Sequence, residues 1–184
     1  MTMDDGFARL AVPVGPEDHV RGEADAPVTL VEYGDFECPY CGEAYVMVKE
    51  LEEKYGDRLR VVFRSFPLGQ HRHAEAAAET AEFAADQGRF WEMHDMLYEH
   101  QNALDEPHLL GYAKRLGLDA KALAVALNEQ TYRPLIDEIK EGAQESEIPG
   151  TPAFFLNDVL FEDDPSVESF STAIEWLLEK GSIS

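Results

Sequence analysis

The sequence predicts an α/β protein whose strands are split by a block of helices. Three observations carry that reading. Two short apolar runs, VTLVEY (28–33) and RLRVVFRSF (58–66), flank a segment with helical spacing. About 70 residues of helical pattern follow, from His73 to about Glu145. The chain then returns to two strand-like runs and a final amphipathic helix.

Each element has a local reason. Residues 1 to 26 are polar and interrupted by Pro13, Gly15, Pro16 and Gly22, which predicts an arm on the surface. VTLVEY is short and β-branched, as a buried strand requires. GDFECPYC turns out of it, and a helix is expected from Pro39 to about Tyr55. Proline suits a first helical position, where its missing N–H would have no partner anyway. Ala44, Met47, Val48 and Leu51 recur at helical spacing, and Gly56 is a stop signal. RLRVVFRSF is the second strand. A helical crossover makes it parallel to the first.

In the helical block, AEAAAETAEFAADQG ends at Gly88, and RFWEMHDMLYEHQ carries Phe90, Met93, Met96 and Leu97 on one side. Two shorter helices follow. YRPLIDEIKEGAQE then puts Tyr132, Leu135, Ile136 and Ile139 on one stripe. PAFFLN and VLFE are separated by Asn157-Asp158, a two-residue hairpin signal. The last helix is expected from near Pro165 to Lys180, with Val167, Phe170, Ile174 and Leu177 as its apolar stripe. The chain thus divides into an arm (1–26), a first core half (27–72), a helical insertion (73–146) and a second core half (147–184). At 184 residues it is long enough to bury a core without staples.

The formal net charge is −22. Such a surface repels nucleic acid and anionic membranes, so neither is an expected partner. With 45% apolar residues and clear patterning, the charge does not signal disorder. An acid-rich, lysine-poor surface suits a high-salt cytoplasm, where self-repulsion is screened; a merely acidic protein is the plainer reading. The start, MTMDDGFARLAVPVG, lacks the basic and apolar regions of a secretion signal, and no run approaches the roughly 20 apolar residues of a membrane span. A cytoplasmic location is therefore the expectation.

The chemistry concentrates in CPYC (38–41), which holds both cysteines of the chain. A disulfide closing so short a loop adds little stability, so a structural staple is a weak reading. Structural zinc takes four ligands, often from paired motifs, and here one C-x-x-C stands alone. The HRH tripeptide (71–73) could approach it in space, but nothing in the spacing demands this. His94, in EMHDM, is expected to be a packed or capping residue. No metal or cofactor is expected. A strand, a turn and a C-x-x-C opening a helix favour a redox pair. Cys38 would face the unpaired N–H groups of the helix start, with the amides of Tyr40 and Cys41 as donors, and such a site favours thiolate. Cys41, one turn further in, would be shielded. Cys38 would attack a substrate disulfide and Cys41 resolve the mixed disulfide.

IPGTPAFFL adds a second feature. Pro152 precedes a predicted strand, where its missing donor is tolerated. A cis Thr151–Pro152 bond would expose the backbone of Thr151 to an extended substrate, and an ordinary trans proline in a loop is the alternative. Phe36, Tyr40 and Phe66 read either as an apolar apron around the thiols or as core.

DAPVTLVEYGDFECPYCG, FRSFPL, FWEMHDMLYEHQ and GTPAFFLN together resemble the DsbA-like branch of the thioredoxin superfamily, over roughly residues 18 to 180. The resemblance implies a thioredoxin fold, a mixed sheet of four to five strands, interrupted by a helical insertion. It implies Cys38 as nucleophile and Cys41 as resolver, with Pro39 and Tyr40 between them and a cis Pro152, preceded by Thr151, across the site. It also implies a buried acid on the first strand, a place taken here by Glu32. Strand alternation puts Glu32 on one face with Val28 and Leu30, consistent with burial. A buried carboxyl there would take and return the proton of Cys41.

The expected partners are protein or peptide disulfides and an electron donor or acceptor. The Pro-Tyr dipeptide suggests a potential between about −270 mV and about −120 mV. In a reducing cytosol such a pair rests mostly as dithiol, which favours reductase or isomerase work. Two alternatives remain: an adaptor or chaperone with an idle pair, and a glutathione-dependent, glutaredoxin-like reductase. The second is disfavoured, because NDVLFEDDPS stands where glutaredoxins usually carry a glycine pair.

Overall fold

A computed structural model describes residues 6–181. Its elements run β1 (His19–Arg21), β2 (Val28–Gly34), α1 (Pro39–Tyr55), β3 (Leu59–Ser65), α2 (Ala74–Ala85), α3 (Phe90–Glu99), α4 (Glu106–Arg115), α5 (Ala120–Glu129), α6 (Arg133–Glu145), β4 (Ala153–Leu156), β5 (Val159–Leu160) and α7 (Val167–Gly181). Among the described residues these form a five-stranded mixed sheet in the order β1-β3-β2-β4-β5. β2 and β3 pair in parallel, as a helical crossover requires; the other pairs are antiparallel. This is an α/β thioredoxin fold with a helical insertion between β3 and β4.

The arm is more than a surface strap. Its first five residues lie outside the described ones, but His19–Arg21 add an edge strand to β3, Leu10 is buried, and Arg9 bridges to Val159. Its short, polar sequence hides the strand, because pairing with β3 supplies what local propensity lacks. Arg64 anchors the arm. Its buried guanidinium meets both oxygens of Asp18 and the carbonyls of Val12 and Pro13, and it donates to the hydroxyl of Tyr33.

Three apolar clusters fill the molecule. One sheet face packs on α1 and α7 through Val28, Leu30, Leu51, Phe154, Phe170 and Ile174. The opposite face, with Val31, Tyr33, Val62 and Phe155, is covered by α6 and the arm. A third cluster joins Phe36, both cysteines and Phe63 to helices α2–α5. The insertion is therefore packed directly against the cysteine pair. The β4–β5 turn has positive φ at Asn157 and Asp158, 44° and 72°. That is the mirror-image turn that matches strand twist.

Candidate active site

α1 begins at the pair. Cys38 is its N-cap, with φ −74° and ψ 122°, and Pro39 occupies the first helical position. Both cysteines are free thiols. Cys38 is 4% exposed and Cys41 not at all. The Cys38 Sγ lies 3.9 Å from the carbonyl oxygen of Thr151, across the site, and the Thr151–Pro152 peptide is cis. Thr151 Oγ1 is buried without a hydrogen-bond partner. Thr151 and Pro152 form one wall of a cleft of about 400 Å³, whose opposite wall is Tyr40, Glu43, Ala44 and Met47 of α1. Tyr40 is 70% exposed at that cleft, whereas Phe36 is core and Phe66 packs with the cluster on the far face of the sheet. These three aromatics do not form one apron.

The N–H directed at a cysteine sulfur is that of Asp35, which reaches Cys41 Sγ at 3.4 Å, rather than an amide of Tyr40 or Cys41 directed at Cys38. The turn before the helix is otherwise closed by backbone: Cys38 N–H donates to Asp35 O at 3.2 Å, and Gly42 N–H to Cys38 O at 3.1 Å. Gln101, from the loop after α3, donates to the carbonyls of Phe36 and Cys38, each at 2.9 Å.

Behind the pair, Glu32 lies on the central strand between Phe63 of β3 and Phe154 of β4. It is buried, and its Oε1 has no hydrogen-bond partner. Burial raises its carboxyl from the ordinary 4.5 to about 8; Arg21 opposes that and Glu52 adds to it. Burial likewise pushes the Cys41 thiol far above its ordinary value, the Glu32 charge adds to this, and the Asp35 N–H works against it. A neutral acid and a neutral thiol thus stand together behind Cys38.

The histidines are all engaged. His71 Nδ1 donates to Asp35 Oδ2 at 2.7 Å, and His73 pairs with Glu37 at 3.1 Å. His94 is buried among Phe36, Phe63, Trp91 and Tyr98, with Nδ1 on Asp95 at 2.9 Å, and burial lowers it to about 4. His19 meets Glu82, His100 the carbonyl of Met96, and His108 the carboxylate of Asp105. Among the described residues no group of three or more His, Cys, Asp or Glu side chains is arranged to hold a metal ion. Sequence reasoning missed Asp35, Glu37 and Gln101. An Asp opening a tight turn is a legible signal for the first. Gln101 carries none, because it reaches the turn from 63 residues away.

Fold and site together thus define a thioredoxin sheet with a cysteine pair opening a helix and a cis-proline across from it. A family model described as Thioredoxin matches residues 15–176, and the chain belongs to that family. Among solved structures it is similar to oxidised BdbD from Bacillus subtilis, with TM-score 0.85, 23% identity, and coverage of 94% of this chain and 99% of that one. It is also similar to a thioredoxin-like oxidoreductase from Silicibacter pomeroyi, with TM-score 0.79, 27% identity and coverage of 90% and 94%. Curated relatives carry a different name. A Na(+)/H(+) antiporter NhaA 1 of Salinispora arenicola is 47% identical over 174 residues, and an NhaA of Herminiimonas arsenicoxydans 42% over 153. These matches cover 94% and 80% of this chain but 26% and 24% of those proteins, so the chain spans about a quarter of their length. Among the described residues no helix is long and apolar enough to cross a membrane.

Proposed function

We propose that the protein is a protein disulfide oxidoreductase working through Cys38 and Cys41. The Cys38 thiolate attacks one sulfur of a substrate disulfide, forming a mixed disulfide and releasing the other sulfur as a thiolate. The ionised fraction of Glu32, as carboxylate, takes the proton of Cys41. The Cys41 thiolate then attacks Cys38 Sγ, closing the protein disulfide and releasing the substrate's second sulfur. Two electrons pass to the substrate, and a donor of dithiol class restores the pair. Run backwards, the same steps form disulfides. Thr151 offers its backbone to an extended peptide lying in the cleft, with Tyr40 and Pro152 on either side.

The observation that supports this most is the asymmetry of the pair. Cys38 caps the helix beside the cleft wall, while Cys41 is fully buried next to an acid whose proton is held up to about pH 8. The similarity to a thioredoxin-like oxidoreductase at 27% identity supports the same class. Insulin reduction tests the reading. The wild type should turn insulin over, Cys38→Ser should not, and Cys41→Ser should accumulate a mixed disulfide visible by mass. A wild type no faster than Cys38→Ser would sink the enzyme reading. It would favour an adaptor module, a second reading that the NhaA-named relatives support: a thioredoxin unit serving beside a membrane ion transporter.

A further inference from the structure

Asp35 organises the active-site turn from three sides. Its side chain is fully buried. Oδ1 accepts the N–H of Glu37 at 2.7 Å, and Oδ2 accepts the N–H of Leu68 at 2.8 Å and the ring N–H of His71 at 2.7 Å. Its own N–H donates to Cys41 Sγ and its carbonyl accepts from Cys38 N–H. The residue that carries this buried carboxylate therefore contacts both redox residues through its own main chain, at the Cys41 sulfur and the Cys38 N–H. His71, 22% exposed, is the side chain that donates to it. The neighbouring pair, His73 on Glu37, is more open, and Glu37 spends its second oxygen on the backbone N–H of His73.

We propose that His71, acting through Asp35, is a positioning residue that sets the redox equilibrium of the Cys38–Cys41 couple. An uncompensated carboxylate beside the pair repels the thiolate of the reduced state and leaves the disulfide untouched. The His71 N–H offsets that repulsion and so favours the dithiol. This role presupposes the dithiol reading of the pair. The equilibrium concerned is the one in which the protein dithiol and oxidised glutathione become the protein disulfide and two glutathione thiols. Two electrons and two protons move from protein to glutathione, and nothing further is consumed.

The test is that equilibrium, measured in glutathione redox buffers by thiol alkylation and mass. His71→Ala should shift it toward the disulfide by about three- to tenfold, tenfold being about 30 mV. His71→Asn, which places an amide N–H where the ring N–H stood, should return within about twofold of wild type. His73→Ala should stay there too. In an Asp35→Asn background, His71→Ala should add nothing. A His71→Ala equilibrium within twofold of wild type overturns the inference, as does an equal shift in His73→Ala. If Asp35→Asn does not fold, the Asn rescue at position 71 decides alone. Because the couple equilibrates with glutathione whether or not insulin is turned over, failure of the enzyme reading and failure of this inference are separate results.

Discussion

Replacing Glu32 with Gln should flatten the pH dependence of stability. The folded carboxyl holds its proton to about pH 8, whereas the unfolded one releases it near 4.5. Between those values the folded state binds a proton that the unfolded state has lost, so stability falls as pH rises through that window and levels off above it. The gap, 8 − 4.5, is about 3.5, and at about 1.4 kcal/mol for each it amounts to about 5 kcal/mol, to the order of magnitude. About 4 kcal/mol of that falls between about pH 5 and pH 9. Gln has nearly the same shape and no charge, so the stability of the variant relative to wild type should climb by a few kcal/mol across that range. Urea unfolding with a thiol reductant present, at steps across that range, reads the difference directly. Subtracting the two proteins removes every other titrating group. A difference between Glu32→Gln and wild type that stays constant with pH would falsify the burial account of this carboxyl.

Two further outcomes follow from close packing. A Cβ at Gly42 would fall on the carboxamide of Gln101, the group that holds the carbonyls of Phe36 and Cys38. Gly42→Ala should therefore cost about 1–3 kcal/mol and slow insulin reduction several-fold, and Gln101→Ala should make the second effect non-additive in a double-mutant cycle. Arg64→Met leaves Asp18, the carbonyls of Val12 and Pro13 and the Tyr33 hydroxyl without their shared donor. It should cost about 3–5 kcal/mol, lower Tm by about 10 °C or more, and open the arm to cleavage at Glu17 by a glutamate-specific protease. Unchanged resistance there would mean that the arm is held without Arg64.

Local signals in the chain were enough to place the elements other than β1, and the cysteine pair at its helix start. Apolar periodicity, Pro39 at a helix start, Gly56 at its end and Asn157-Asp158 in a turn are all written in contacts a few residues apart. They set α1 from Pro39 to Tyr55 and the hairpin at Asn157-Asp158. The surroundings of the pair were settled by tertiary packing instead. Arg21 forms a strand because β3 offers it an edge, and Phe36 and Phe66 part company because they pack on different clusters. Asp35 meets His71, and Gln101 meets Cys38, through loops folded back from 36 and 63 residues away. A hydrogen bond at that separation depends on where the whole sheet and its inserted helices come to rest. No residue's own propensity encodes that, so the place of CPYC at a helix start was legible in the chain and its electrostatic setting was not.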